Sequence, residues 1–231
     1  SESLATLSDL DAALKWCEQG LTLARSLGWP ASVGLALMQM GDLMRQLLRH
    51  DEARACLQEA LLLMDPLVGS RNHKNTLRTL AQLELDVGHH LAALQCFIRL
   101  EQCVNQQSEP DLMIKAWLGQ AHALTQLGRA QEALDKALVA LALARERGMV
   151  ESQILLLGVL AKIHNEVSLP TPSDMTAGSP ALHYLEQATT LAATVSGYQT
   201  SAELHTQVAR AHAALGDYRG AYEQALASVV A

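Results

Sequence analysis

Aromatic side chains are nearly missing from this chain, with three Trp, four Tyr and one Phe in 231 residues. Proline is almost as rare, at six, while alanine and leucine dominate. That composition argues against a sandwich or barrel and suits packed helices, so an all-α fold is expected. With 49% hydrophobic residues, a chain of this length buries roughly 70% of its unfolded surface, which predicts a folded core rather than a disordered tail.

Excess positive charge is missing too. The formal net charge is −7, whereas a nucleic-acid footprint needs clustered Lys and Arg. The best basic cluster, Arg71, His73, Lys74 and Arg78, reads as a solvated surface group. The longest uncharged apolar runs, Ala137 to Ala144 and Ile154 to Ala161, fall well short of the roughly 20 residues that cross a bilayer, so a soluble chain without membrane insertion is expected. No basic segment followed by an apolar stretch opens the chain, and no initiator Met is present, so Ser1 reads as a cut. The four cysteines are too few and too scattered for a small disulfide scaffold, which points to a reducing, cytoplasmic compartment. No CxxC pair, HExxH, glycine-rich phosphate loop or GxSxG elbow occurs. Catalytic residues, metal ligands and cofactors are therefore not expected in this segment.

What is abundant is repetition. "DYRGAYEQAL" (217–226) aligns with "GRAQEALDKAL" (128–138), "GHHLAALQCF" (88–97), "LRHDEARACLQEAL" (48–61) and "DLDAALKWC" (9–17). A small anchor falls at Ala13, Ala53, Ala93, Ala133, Ala181 and Ala221, a spacing of 40 residues broken once by 48. A second row follows at Gly20, Ala60, Leu100, Ala140, Ala188 and Ser228, mostly small, where helices must approach closely. Helical segments precede the anchored ones, giving 34–49 before 51–64, 74–87 before 90–105, 111–127 before 130–147 and 200–215 before 217–230. Gly88, Gly128 and Gly216 mark the turns between them, and Gly28, Gly148 and Gly197 the exits, because glycine accepts the left-handed backbone that ends a helix. One such pair cannot hide its apolar stripe alone, so pairs must stack into an α-solenoid.

A single domain over 1–231 is expected, with units at about 1–28 (partial), 31–66, 72–106, 110–148, 150–197 and 199–231. The extra eight residues of the broken interval coincide with "SLPTPSDMTAGSP" (168–180), read as a lengthened inter-helix loop because Pro170, Pro172 and Pro180 cannot lie inside a helix. The chain opens and stops inside second helices, so a fragment of a longer protein is expected.

Other residues fit the same frame. His205 and His212, like Cys96 and Cys103, share a helix face but lie two turns, roughly 10 Å, apart, too far to ligate one zinc. His89 and His90 fall at a turn and are expected at the surface. Cys17, Cys56 and Cys96 recur near the repeat interval and are expected in the core, as is packing of Trp16 and Trp29 at the N-terminal end.

In "AWLGQAHALTQLGRAQEALDKALVAL" (116–141), Trp117, the turn Gly128, Ala133 and Ala140 resemble the tetratricopeptide repeat, as do Ala93 with Phe97, and Gly216 with Tyr218 and Ala221. HEAT-like repeats share the longer period, but the alanine anchors and glycine turns favour the tetratricopeptide pattern. The resemblance implies a right-handed superhelix of stacked antiparallel helix pairs. It also implies a non-catalytic module that binds a protein, a peptide or a small ligand in a concave groove lined by first helices. Long-helix versions are familiar as sensory halves of bacterial signalling proteins, including GGDEF diguanylate cyclases and DNA-binding activators.

Repeat register nominates the groove. One row reads Asp42, Gln82, His122, Lys162 and Arg210, and its neighbour Gln46, Asp86, Gln126, Glu166 and Ala214, with Arg45, Arg78, Lys115 and Asn165 close by. The first row runs from acidic to basic, which would set the acidic end of a ligand towards Lys162 and Arg210. The arrangement by which some family members grip a C-terminal carboxylate is not reproduced, since Lys115 is followed by Leu118 and Gly119. The other reading is a scaffold or homodimer joined through terminal apolar residues such as Leu226, Val229 and Val230.

Overall fold

The computed structural model describes residues 2–166, 171, 175, 178–195 and 202–230. Among them the regular elements are helical: α1 Glu2–Ser26, α2 Pro30–Gln46, α3 His50–Met64, α4 Arg71–Asp86, α5 His90–Cys103, α6 Pro110–Gln126, α7 Ala130–Glu146, α8 Val150–Glu166, α9 Pro180–Thr194, α10 Ala202–Ala214 and α11 Tyr218–Val230. Helices α2, α6 and α9 start on a proline, whose fixed φ suits the first turn and whose missing N–H would have no partner there anyway. Pro180 is therefore a helix start rather than loop. Ser179 caps it, its hydroxyl accepting from the Leu182 N–H at 3.2 Å. Most of the expected loop 168–180 lies outside the described residues.

The chain divides into Ser1–Asn105 and Gln106–Ala231. In the first unit α1 packs on α2, α2 pairs with α3, α3 packs on α4, α4 pairs with α5, and α2 lies alongside α4. In the second, the pairs are α6 with α7, α8 with α9 and α10 with α11; α7 packs on α8, α9 on α10, and α6 lies alongside α8. Each unit is a stack of antiparallel helix pairs.

The turns share one device. At Gly88 (φ +81°) the backbone turns left-handed, the His89 N–H reaches the Glu84 carbonyl at 2.8 Å, and the Gly88 N–H reaches Leu85 at 3.0 Å. These two bonds satisfy carbonyls that the helix end would otherwise strand. Gly28, Gly128, Gly148 and Gly216 close their helices the same way. At the α2–α3 turn the position is Leu48, which adopts φ +60° with its side chain exposed. A Cβ in that conformation costs roughly 1–2 kcal/mol, against a smaller entropic cost of glycine. Leu48→Gly is expected to stabilise the protein by about 0.5–1 kcal/mol, read as a higher urea midpoint at unchanged slope.

The anchors set the spacing between paired helices. Ala53, Ala93, Ala133 and Ala181 are buried, as are Ala60, Leu100, Ala140 and Ala188, while Ala13 and Ala221 are only half-buried. Helix α2 approaches α3 tightly at Gly41, where an added Cβ would lie 2.6 Å from Leu57 Cγ and 3.2 Å from the Ala53 carbonyl oxygen. Leu57 is itself fully buried and cannot retreat. Gly41→Ala is expected to lower stability by about 1–2 kcal/mol, since overpacking costs about 1–3 and the gain in helix propensity recovers at most about 1. Gly34→Ala serves as the control in the same unfolding measurement, because its nearest neighbour is the flexible Met64 Cε at 2.9 Å.

A charged group is also buried between α3 and α4. The Glu84 side chain is only 6% exposed. Arg54 of α3 donates to it through Nε at 2.7 Å and Nη2 at 3.2 Å, and His89 Nδ1 lies 2.8 Å from its second oxygen. The turn histidine is thus exposed but engaged, and its neighbour His90 is half-buried.

Three expectations are corrected. His73 and Lys74 are buried, not solvated, because their phase on α4 places them on the face that carries Leu77, Leu80 and Ala81. Of the cysteines only Cys96 is buried; Cys17 and Cys56 are half-buried, at the edge of the helix face rather than its centre. Trp16 and Trp29 are 72% and 57% exposed, since α1 packs on α2 through Leu14, Leu21 and Ala24 and turns Trp16 away from that seam.

Candidate functional site

The nominated positions of the first unit meet one another. Arg45 of α2 bridges to Asp86 of α4 at 2.8 Å and to Asp42 of its own helix at 3.1 Å. Gln46 donates to Asp42 at 3.2 Å and Gln82 to Asp86 at 2.8 Å. Arg45 thus serves both carboxylates, one cation between two anions, so the cluster holds no free cation. Arg78 is half-buried and has no ion pair among the described residues.

The second unit is arranged differently. His122 of α6, Lys162 and Asn165 of α8, and Arg210 of α10 line one cavity of about 480 Å³. Leu118, Ile154, Leu155, Val159 and Leu204 form its apolar wall. All of these residues sit on first helices of their pairs. Gly158 helps to open the space, for a Cβ there would approach the Gln207 side chain at 3.7 Å. Lys162 and Arg210 are both exposed, and neither has an ion pair among the described residues. Burial lowers the pKa of His122 and the charge of Lys162 lowers it further, so the imidazole is neutral at neutral pH. The cavity therefore offers two cations against an apolar wall, with a neutral histidine beside them.

Other nominated residues stand outside this group. Lys115 is held by Asp111 on its own helix at 2.7 Å. Gln126 and Glu166 are exposed and do not line the cavity. His205 and His212 are engaged separately, with Gln224 at 2.9 Å and Asp217 at 2.9 Å.

Reading polar rows alone missed the leucines. Leu118 occupies the register position of Arg78, and Leu155 that of Lys115, each one repeat further on. The register that nominated those cations already pointed at the wall.

Residues 32–106 match the tetratricopeptide repeat family. Among curated proteins no sequence matches. The fold is similar to that of BtubC (BKLC) from P. vanneervenii, with a TM-score of 0.73 at 16% identity over 95% of this chain and 89% of that one. It is also similar to the nearly identical TPR-like repeats of a kinesin-light-chain-type protein of Podosopora anserina, with a TM-score of 0.63 at 16% identity over 87% of this chain and 95% of that one. At that identity the likeness speaks for the fold alone. No helix among the described residues is long and apolar enough to cross a membrane. Residues 32–106 thus match the tetratricopeptide repeat, and the chain has the fold of TPR-like repeat structures.

Proposed function

We propose that the cavity of the second unit receives an acidic segment of a partner protein. Its carboxylates would meet Lys162 and Arg210, and its apolar side chains Leu118, Leu155 and Leu204. The observation that carries this reading is the pair of cations without ion pairs on an apolar wall. Charged side chains arranged this way steer an oppositely charged partner and fix its direction. In the first unit Arg45 is already engaged by Asp42 and Asp86.

The resemblance to long-helix repeats of bacterial signalling proteins supports a sensory role in the cytoplasm. Occupation of the cavity would favour one arrangement of the helix pairs and pass that preference to an effector, a GGDEF cyclase or, failing that, a DNA-binding domain. Such coupling requires the ligand to bind one arrangement more tightly than the other.

The test is fluorescence anisotropy with a short labelled peptide of alternating glutamate and leucine, compared with its glutamine counterpart. Saturable binding of the glutamate peptide alone supports the reading. Equal binding of both peptides, or binding of neither, removes it.

A further inference from the structure

One titratable group of the second unit's cavity has no structural duty. His122 is half-buried, lines the cavity with Lys162, Asn165 and Arg210, and makes no hydrogen bond among the described residues. The other histidines of this unit stand elsewhere. His183, His205 and His212 are engaged by Gln187, Gln224 and Asp217. The ring of His164 packs near Tyr184, with centroids 5.5 Å apart, and its buried Nε2 is sealed off without a partner. His122 is not sealed in that way, so its ring nitrogens are open to the cavity.

The charges around His122 are of one sign. Helix α8 presents Lys162 and α10 presents Arg210, while the buried face of α7, which pairs with α6, is apolar at Ala133, Ala137 and Ala140. No carboxylate lines the cavity among the described residues. A proton on His122 would therefore be a third cation beside two, with no anion to offset it. Burial opposes that proton as well, and both effects hold the imidazole neutral at neutral pH.

We propose that an acidic segment entering the cavity, the occupant on which this inference rests, brings a proton to His122, so that binding tightens as the pH falls from about 8 to about 5.5. Carboxylates set against Lys162 and Arg210 cancel their repulsion and give the imidazolium an acceptor. The imidazole then keeps its proton to a higher pH in the complex than in the free protein. A complex that binds more protons than its separate components is favoured by acid, and the coupling is reciprocal. The carboxylates of the segment do not mask the effect, since glutamate titrates near about 4.3, below this range. The expected gain in affinity is roughly five- to ten-fold, about what one charge-assisted hydrogen bond contributes. The cavity would thus select for mild acid as well as for negative charge.

The experiment is fluorescence anisotropy with the labelled glutamate–leucine peptide across that pH range at constant ionic strength, on the wild type and on His122→Asn. A gain of the stated size in the wild type, with a flat profile in His122→Asn, supports the inference. In parallel, the ring-proton NMR signal of His122, assigned by its absence in the variant, should titrate at higher pH once peptide saturates the protein. Wild-type affinity that is equal at both ends of the range overturns proton coupling and leaves the cavity as a site for an acidic segment. A gain that persists in His122→Asn overturns it too, because the proton then goes to another group. Absence of binding at every pH removes the occupant and the coupling together. Should His122→Asn fail to fold, the wild-type histidine signals decide alone: titration midpoints that peptide leaves in place overturn the inference.

Discussion

Arg54→Ala is expected to lower the unfolding free energy by about 3 kcal/mol at neutral pH, the largest stability effect anticipated for a single charged residue of the first unit. The substitution removes both hydrogen bonds that the guanidinium donates to Glu84 and leaves that carboxylate buried between α3 and α4, with only His89 to meet it. A buried carboxylate without its cation has lost its hydration and gained no adequate substitute. Arg54→Lys should recover only part of the loss, because an ammonium cannot form the paired bonds of the guanidinium fork.

The pH dependence supplies an independent check. Burial by itself raises the pKa of Glu84, but the hydrogen bonds from Arg54 and His89 outweigh it, and the net shift is downward. A carboxyl whose folded value lies below its unfolded value binds fewer protons when folded. Its contribution is complete above the ordinary glutamate value of about 4.3 and is lost as the pH falls through the lower, folded value. The gap between wild type and Arg54→Ala, measured by urea unfolding, should be widest near neutrality and should close in acid. A gap that persists unchanged in acid would assign the effect to lost packing of the arginine stem.

The second large effect concerns binding. The double variant Lys162→Glu with Arg210→Glu is expected to raise the dissociation constant for the glutamate–leucine peptide by about 100-fold. Two charge-assisted contacts at about 1.5 kcal/mol each give about 3 kcal/mol, and each 1.4 kcal/mol is ten-fold. Added salt should weaken the wild type and strengthen the variant, because charge reversal replaces a screened attraction with a screened repulsion. Both side chains are exposed, so stability should move by no more than about 0.5 kcal/mol, which separates lost recognition from lost folding. Unchanged affinity in the double variant would place the ligand elsewhere.

His122 reports on the same cavity. Its pKa lies below the ordinary value through burial first and the nearby Lys162 second. Because the unfolded chain takes up that proton at higher pH, this histidine favours folding at neutral pH and loses the contribution as the pH falls below about 6.5. Replacing Lys162 by Glu turns repulsion into attraction, so the imidazole should titrate at higher pH in the variant, as followed by NMR. The direction of that shift tests whether the two side chains share the cavity, with or without a ligand.

Much of the fold is legible in the residues themselves. The alanine anchors at 40-residue spacing and the glycine turns predict helix pairs within a few residues of those found, because both signals are local: a small side chain where helices touch, and an achiral residue where φ turns positive. The turn at Leu48 shows the limit of that code, since the paired carbonyl bonds at the α2 end enforce the same geometry without glycine.

The register of the repeats names His122, Lys162, Asn165 and Arg210 but not the apolar wall beside them, and it does not tell the two units apart. Asp42 and Asp86 look available in the sequence, and only the approach of α2 to α4 shows that Arg45 occupies both. Lys115 looks as available in the sequence as Lys162 and Arg210, yet an aspartate one turn earlier holds it, while the other two face an open cavity. The burial of Lys74 and Glu84 and the exposure of Trp16 were likewise decided by tertiary packing. Residue type and spacing determined where helices begin, turn and stack. Which charges are satisfied, and which apolar faces remain open, depends on side chains brought together from separate helices, and that is a property of the packed structure alone.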